Sequence, residues 1–181
     1  MSAREYPDFA EFVQTMQHRM RRSAFLMTGD WAMAADLTQE ALVKVYIAWP
    51  RIRLGDGVGA YAQRTLVTTV LDHQRFRNRR PETPRAELDG SATSDATNLL
   101  ADRELLLSAL RRIAPRQRAC VVLRYFEGLS VAETAAAMGC SEGNVKSQTS
   151  IALRALRKVL DDEELRDAVS AEMDSALGGI R

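Results

Sequence analysis

Residues 128–160, GLSVAETAAAMGCSEGNVKSQTSIALRALRKVL, carry two helix starts and one helix stop in quick succession, an order that few folds admit. Ser130 followed three residues later by Glu133 is a capping box, which begins a short Ala-rich helix. Gly139 ends that helix where a tight turn needs a residue without a Cβ. Ser141 caps a second helix, and Glu142 in its first turn suits the positive end of the helix dipole. Val145, Ala152, Leu156 and Val159 recur at helical spacing and can face inward, leaving Lys146, Gln148, Ser150 and Arg154 on other faces. A recognition helix needs that division, with one stripe for the core and short polar or basic side chains for base edges and phosphates. Read alone, the stretch is also compatible with two ordinary packed helices bearing a solvated basic face.

The net charge of +1 argues at first sight against a nucleic-acid partner, but the charges are unevenly distributed. Residues 1–80 hold 12 basic and 8 acidic side chains, and residues 99–160 hold 10 and 5. Residues 81–98 hold 1 and 4, and residues 161–181 hold 2 and 7. Two basic blocks are thus separated and followed by acidic segments. The segment PETPRAELDGSATSDATN, residues 81–98, has too few apolar groups to offset the entropy of ordering and reads as a flexible linker. It divides the chain into a module over 1–80 and a second over 99–160, with an acidic extension over 161–181.

Neither module alternates at period two, so the fold class is all-α, two small helical domains joined by the linker. The spacing predicts helices near 8–28, 31–49, 60–79, 98–113, 115–126, 130–138 and 142–160, with Pro50 closing the second and Pro115 opening the fifth. Modules this small need compact cores, and neither should be very stable alone. The glycines of RLGDGVG, residues 53–59, make a flexible loop that is too short and wrongly placed to cradle a phosphate. The acidic extension can fold back onto the basic recognition helix or extend as a solvated helix.

Several functions find no support. Cys120 and Cys140 have no second Cys or His at ligand spacing, so no metal and no cofactor are expected, and both read as reduced structural thiols of a cytoplasmic protein. The charged start MSAREYPDFAEF has no signal-peptide core, and no apolar run approaches a membrane span. An enzyme, such as a recombinase with a helix-turn-helix tail, would need a framed nucleophile. His18 and His73 are far apart, His18 reads as an exposed helical residue, and no Ser or Tyr is set beside a base. No catalytic residue is assigned.

Three blocks together, ADLTQEALVKVYIAWPRI (35–52), AYAQRTLVTTVLDHQRFRNRR (60–80) and LLSALRRIAPRQRACVVLRYFEGLSVAETAAAMGCSEGNVKSQTSIALRALRKVL (106–160), resemble a bacterial sigma-70-type factor of the extracytoplasmic-function group. More narrowly, the chain is similar to the actinobacterial SigE-like family. The resemblance implies a sigma-2-like bundle and a sigma-4-like helix-turn-helix domain, and so a promoter reader that binds core RNA polymerase. A conventional helix-turn-helix repressor would leave the 35–52 block and the arginines at 75–80 unexplained.

The resemblance further implies roles for individual residues. Asp36, Gln39, Glu40 and Val43 would meet the clamp helices of the polymerase β′ subunit, and helical spacing places them off an inward stripe of Leu37, Ala41, Val45 and Trp49. Arg53, Gly57, Tyr61, Arg64 and Thr68 match positions that capture flipped bases of the −10 element, although many relatives carry an Asn where Thr68 stands. Tyr61 can stack on a base, but its family counterpart is more often core, and core is the favoured placement. Arg75, Arg77, Arg79 and Arg80 exceed what a helix C-terminus requires and can hold phosphates of a melted strand. In the second module Asn144, Ser147, Gln148 and Ile151 would read bases of the −35 duplex. Lys146, Arg154, Arg157 and Lys158 would anchor phosphates, and Arg116 and Arg118 would add backbone contacts. Many sigma factors have a basic residue where Gln148 and Ile151 stand, which suggests a different base preference. Leu123, Tyr125 and Phe126 are expected mostly in the core, with part of that helix docking on the β flap. An anti-sigma factor is a candidate partner that no residue of the sequence identifies.

Overall fold

The computed structural model describes residues 8–52, 57–79 and 106–160, and among them every regular element is helical. α1 (Phe9–Thr28) starts at Asp8, whose side chain accepts from Glu11 N at 2.9 Å. It ends at Gly29, which adopts φ 76° and returns its N–H to Phe25 O. The backbone angle favours glycine at position 29, and a Cβ there, 2.9 Å from Arg111 Nε, would also make that side chain shift. Asp30 then caps α2 (Trp31–Ile52) by accepting from Met33 N at 2.9 Å. α3 (Val58–Arg79) completes the first module.

In the second module residues 106–111 are helical. α4 (Pro115–Val121) begins at its proline and runs into a wider turn over Val122–Phe126, where Glu127 N bonds Val122 O at 3.0 Å. α5 (Val131–Met138) carries the expected reciprocal cap: Glu133 N donates to Ser130 Oγ (3.1 Å) and Ser130 N to Glu133 Oε2 (2.7 Å). It stops at Gly139 with φ 60°, and Ser141 Oγ accepts from Asn144 N at 3.2 Å to start α6 (Glu142–Leu160).

These bounds follow the periodicity closely, except that the helix predicted near 115–126 widens after Val121 and α2 runs past its predicted end. Pro50 lies inside α2, and the helix continues to Ile52. So near the end, the ring removes one intrahelical bond without interrupting further turns, and its cost stays local. Part of the helix predicted over 98–113, the linker and the acidic extension lie outside the described residues.

The buried side chains form one cluster spanning both modules, from Phe12, Met20, Val45 and Leu66 to Leu110, Val122 and Leu123. α3 packs against α5, and α1 against α4 and the turn after it. This joint burial suits modules too small to bury much surface separately. The seam is also polar, and it centres on the corner between α1 and α2. Met27 O, a carbonyl left open at the end of α1, accepts from Arg118 Nη1 and Gln74 Nε2, each at 2.9 Å. Arg111 Nη2 donates to Gly29 O at 3.0 Å. Glu127 accepts from Arg19 Nε at 2.5 Å and from the Ser23 hydroxyl.

Candidate polymerase and nucleic-acid interfaces

α2 presents two chemically distinct sides. Leu37, Ala41, Val45 and Trp49 are buried, and Asp36, Gln39, Glu40 and Val43 are exposed. The exposed side is more apolar than the sequence suggested. Tyr46 is 62% exposed and Ile47 68%, one turn beyond Val43 at 57%. Position three or four residues after Val43 places them beside it, a signal that helical spacing already contained. Glu40 pairs with Lys44 at 2.7 Å, and Lys44 Nζ reaches Thr69 Oγ1 at 3.0 Å. The result is an apolar strip bordered by Asp36 and Glu40, suited to a partner surface that is part apolar and part basic.

α3 buries Leu66, Val67, Val70 and Leu71 and turns Arg64, Thr68, Arg75, Arg77 and Arg79 outward. Arg75 pairs with Asp72 at 3.1 Å, with both side chains more than half exposed, so this contact adds little to stability. Tyr61, favoured for the core by sequence, is instead 38% exposed, because the buried side of this turn is filled by Val58 and Ala62. Gly57 sits at φ 127°, a backbone that L side chains rarely adopt. Arg53 and Arg80 lie outside the described residues. Phe76, 63% exposed among the arginines, was not singled out from the sequence.

On α6, Val145 and Ala152 are fully buried and Leu156 is packed against the core; the side chain of Val159 lies outside the described residues. Asn144, Ser147 and Ile151 are exposed and Gln148 half-buried, and at about 100° per residue they share one side of the helix. Lys158 falls on the same side near the far end. Lys146, Arg154 and Arg157 occupy the adjacent side. With Arg124 and Tyr125 they line an open groove of about 350 Å³.

One expectation needs correction. Arg118 is 8% exposed, and its guanidinium donates to Met27 O (2.9 Å), Arg111 O (3.2 Å) and Ile113 O (3.4 Å). Burial, with the neighbouring Arg111 charge, lowers its pKa. It serves the seam and has no free face for phosphate. Arg116 is half-buried, on a different side of α4. Cys120 is fully buried, and burial first, then Cys140, pushes its thiol up to about 11, which disfavours the reactive thiolate. Tyr125 and Phe126 are half-buried beside the fully buried Leu123. Among the described residues no helix is long and apolar enough to cross a membrane.

Both modules match known families. A model of sigma-70 region 2 matches residues 12–80, and one of sigma-70 region 4 matches residues 103–156. The chain is 40% identical over 177 residues to the RNA polymerase sigma-E factor of Streptomyces avermitilis, covering 96% of each. The chain belongs to the extracytoplasmic-function sigma-70 factors. It is also 33% identical over 148 residues to the ECF RNA polymerase sigma factor SigL of Mycobacterium tuberculosis, covering 78% of this chain and 82% of that one. In fold, this sigma factor resembles the sigma factor RpoE solved with the anti-sigma factor NepR from Bartonella quintana. That match has a TM-score of 0.66 at 22% identity and covers 87% of this chain and 99% of that one. CnrH, solved in complex with the cytosolic domain of CnrY, gives 0.65 at 20% identity, covering 86% and 88%. As a sigma factor, the chain binds core RNA polymerase and directs promoter recognition and transcription initiation.

Proposed function

We propose that the three outward faces divide the work of initiation. Asp36, Gln39, Glu40 and Val43, extended by Tyr46 and Ile47, dock on the β′ clamp helices. The basic side of α3, with the loop before it, receives the melted −10 strand. Asn144, Ser147, Gln148 and Ile151 enter the major groove of the −35 duplex, where Gln148 can pair bidentately with adenine and Ile151 can meet a thymine methyl. Lys146, Arg154, Arg157 and Lys158 bind phosphates beside the groove, with Arg116 adding a contact and part of the surface after α4 left for the β flap. The boundaries that suit this division are 1–80, 81–98, 99–160 and 161–181.

The observation that carries the reading is that Asn144, Ser147, Gln148 and Ile151 share one side of α6 while Lys146, Arg154 and Arg157 line the groove on the adjacent side, above a fully buried Val145 and Ala152. A helix lying in a major groove has bases beneath it and phosphate backbones along its flanks. The factor works without catalysing a reaction and acts in the cytoplasm. RpoE and CnrH support an anti-sigma factor as a candidate partner.

Pull-down with core polymerase followed by run-off transcription tests the whole reading. The expected result is promoter binding that is weak for the chain alone and strong with core polymerase. Tight operator-like binding by the chain alone, with no retention of core polymerase, would refute it.

A further inference from the structure

An open groove of about 640 Å³ lies across the seam between the modules. The first module lines it with a strip of α1, where His18, Arg21, Arg22 and Phe25 recur at helical spacing. Trp31, 38% exposed, stands beside that strip, stacked on Phe25 with ring centroids 3.9 Å apart and with the Arg21 guanidinium over it. The second module contributes Leu106, Leu107 and Phe126, each half-buried. His18, Arg21 and Arg22 are exposed, so the groove is apolar within and basic along one margin. Among the described residues neither Arg21 nor Arg22 has a carboxylate at ion-pairing distance. Such a groove suits an amphipathic segment with an apolar stripe and an acidic border. The chain holds one of that composition. Residues 161–181, outside the described residues, carry 7 acidic and 2 basic side chains. Leu165, Val169, Met173 and Leu177 recur there at every fourth position, and at helical spacing Asp161 and Glu172 fall beside that stripe. Three successive members of the stripe span about 12 Å of helix, and the α1 strip from His18 to Leu26 spans the same length.

We infer that residues 161–181 dock in this groove, their apolar stripe against its apolar side chains and their acidic border against Arg21 and Arg22. Because the groove is built from both modules, the docked segment joins them and strengthens the seam. The segment follows Leu160 directly, and the eight residues before Val169 can extend about 26 Å. Tethering places it at an effective concentration of about 1 mM, so a free-peptide Kd of about 0.1 mM fills roughly nine-tenths of the grooves. The recognition helix carries cations too, but Ile151 is its one exposed large apolar side chain among the described residues. It therefore offers charge without a seat for the stripe.

The test uses the full chain and its two tryptophans. Trp49 is buried at 8%, so acrylamide quenching of the fluorescence reports chiefly on Trp31 in the groove. With roughly nine-tenths of the grooves filled in the parent, the double variant Val169→Asp/Met173→Asp should about double the quenching constant. A synthetic peptide of residues 161–181 added to that variant should restore protection with a Kd of about 0.1 mM. The same peptide carrying both Asp substitutions should not. Arg22→Glu should also raise quenching, and its difference from the parent should shrink as salt is added. Equal quenching in the parent and the double variant would overturn the docking. So would a rise that the peptide fails to reverse at about ten times the expected Kd. If Arg154→Glu relieves the protection and Arg22→Glu does not, the seat is the recognition helix and the groove is wrong. Protection that grows with protein concentration would assign the groove to the segment of a second copy and overturn the intramolecular contact.

Discussion

Arg118 separates a structural arginine from a DNA-binding one, and replacing it tests the distinction. Arg118→Ala removes two hydrogen bonds of good length, to Met27 O at 2.9 Å and Arg111 O at 3.2 Å, and a longer one to Ile113 O at 3.4 Å. A bond with a charged partner contributes about 1.5–3 kcal/mol. The sum is reduced in two ways. The guanidinium no longer has to be desolvated, and Met27 O retains its bond from Gln74 Nε2 at 2.9 Å. A net cost of about 2–4 kcal/mol follows, part of it from lost packing of the side-chain stem. For a chain of this size, each kcal/mol lowers Tm by roughly 2–4 °C, so a fall of about 4–16 °C is expected by thermal unfolding. Arg118→Lys should not rescue it, because an ammonium cannot reproduce the planar fork that reaches separate carbonyls. Arg116→Ala should stay within about 0.5 kcal/mol of the parent in stability while weakening promoter binding. Unchanged stability in Arg118→Ala, together with lower promoter affinity and a flatter salt slope, would refute the structural assignment.

Further outcomes can be measured on the other faces. Val43→Asp or Ile47→Asp should abolish retention of core polymerase in a pull-down with Tm nearly unchanged, since both positions are more than half exposed; retained binding would remove the apolar strip from the polymerase contact. Gln148→Ala should relax preference at one −35 position by about 1–3 kcal/mol, measured by competition between promoter variants. Arg154→Ala should weaken all promoters alike and reduce the salt slope by about one. Similar behaviour of the two variants would erase the distinction between reader and anchor. Ser130→Ala should cost about 1 kcal/mol by urea unfolding. The hydrogen bonds from Ser130 hold the Glu133 carboxyl below its ordinary pKa. Its contribution is therefore present above the unfolded-state pKa and is lost as pH falls through the folded-state value. The stability difference between the parent and Glu133→Ala should accordingly shrink on acidification below about pH 4; a difference that grows would reverse the sign.

Much of this was legible because helices advertise their ends and sides within a few residues. Ser130, Glu133, Gly139 and Ser141 fixed the helix-turn-helix by local hydrogen bonds, so no distant contact was needed to place it. The inward stripe of α2 emerged from spacing alone, as did the outward position of Asp36, Gln39, Glu40 and Val43. Tyr46 and Ile47 were accessible to the same reasoning, but apolar residues are ordinarily assigned inward. Their exposure becomes informative only once Val45, Ala48 and Trp49 are seen to fill the buried side. Tyr61 shows the same bias: an aromatic favoured for the core was displaced outward by Val58 and Ala62.

The seam between the modules was hidden for a different reason. Its polar contacts join residues far apart in the chain, as with Arg19 and Glu127 or Arg118 and Met27. Two of the acceptors, Met27 O and Gly29 O, are main-chain carbonyls, which every residue possesses and no sequence pattern marks. What makes them acceptors is their place at the end of α1, where carbonyls lack intrahelical partners and the helix dipole is negative. Arg111 and Arg118 therefore meet a binding site created by the fold, although in composition they are indistinguishable from arginines available to DNA. The basic count of the second module consequently overstates its DNA-binding charge. Exposure, more than residue type, decides which cations remain for phosphates, and it leaves Lys146, Arg154, Arg157 and Lys158 on α6.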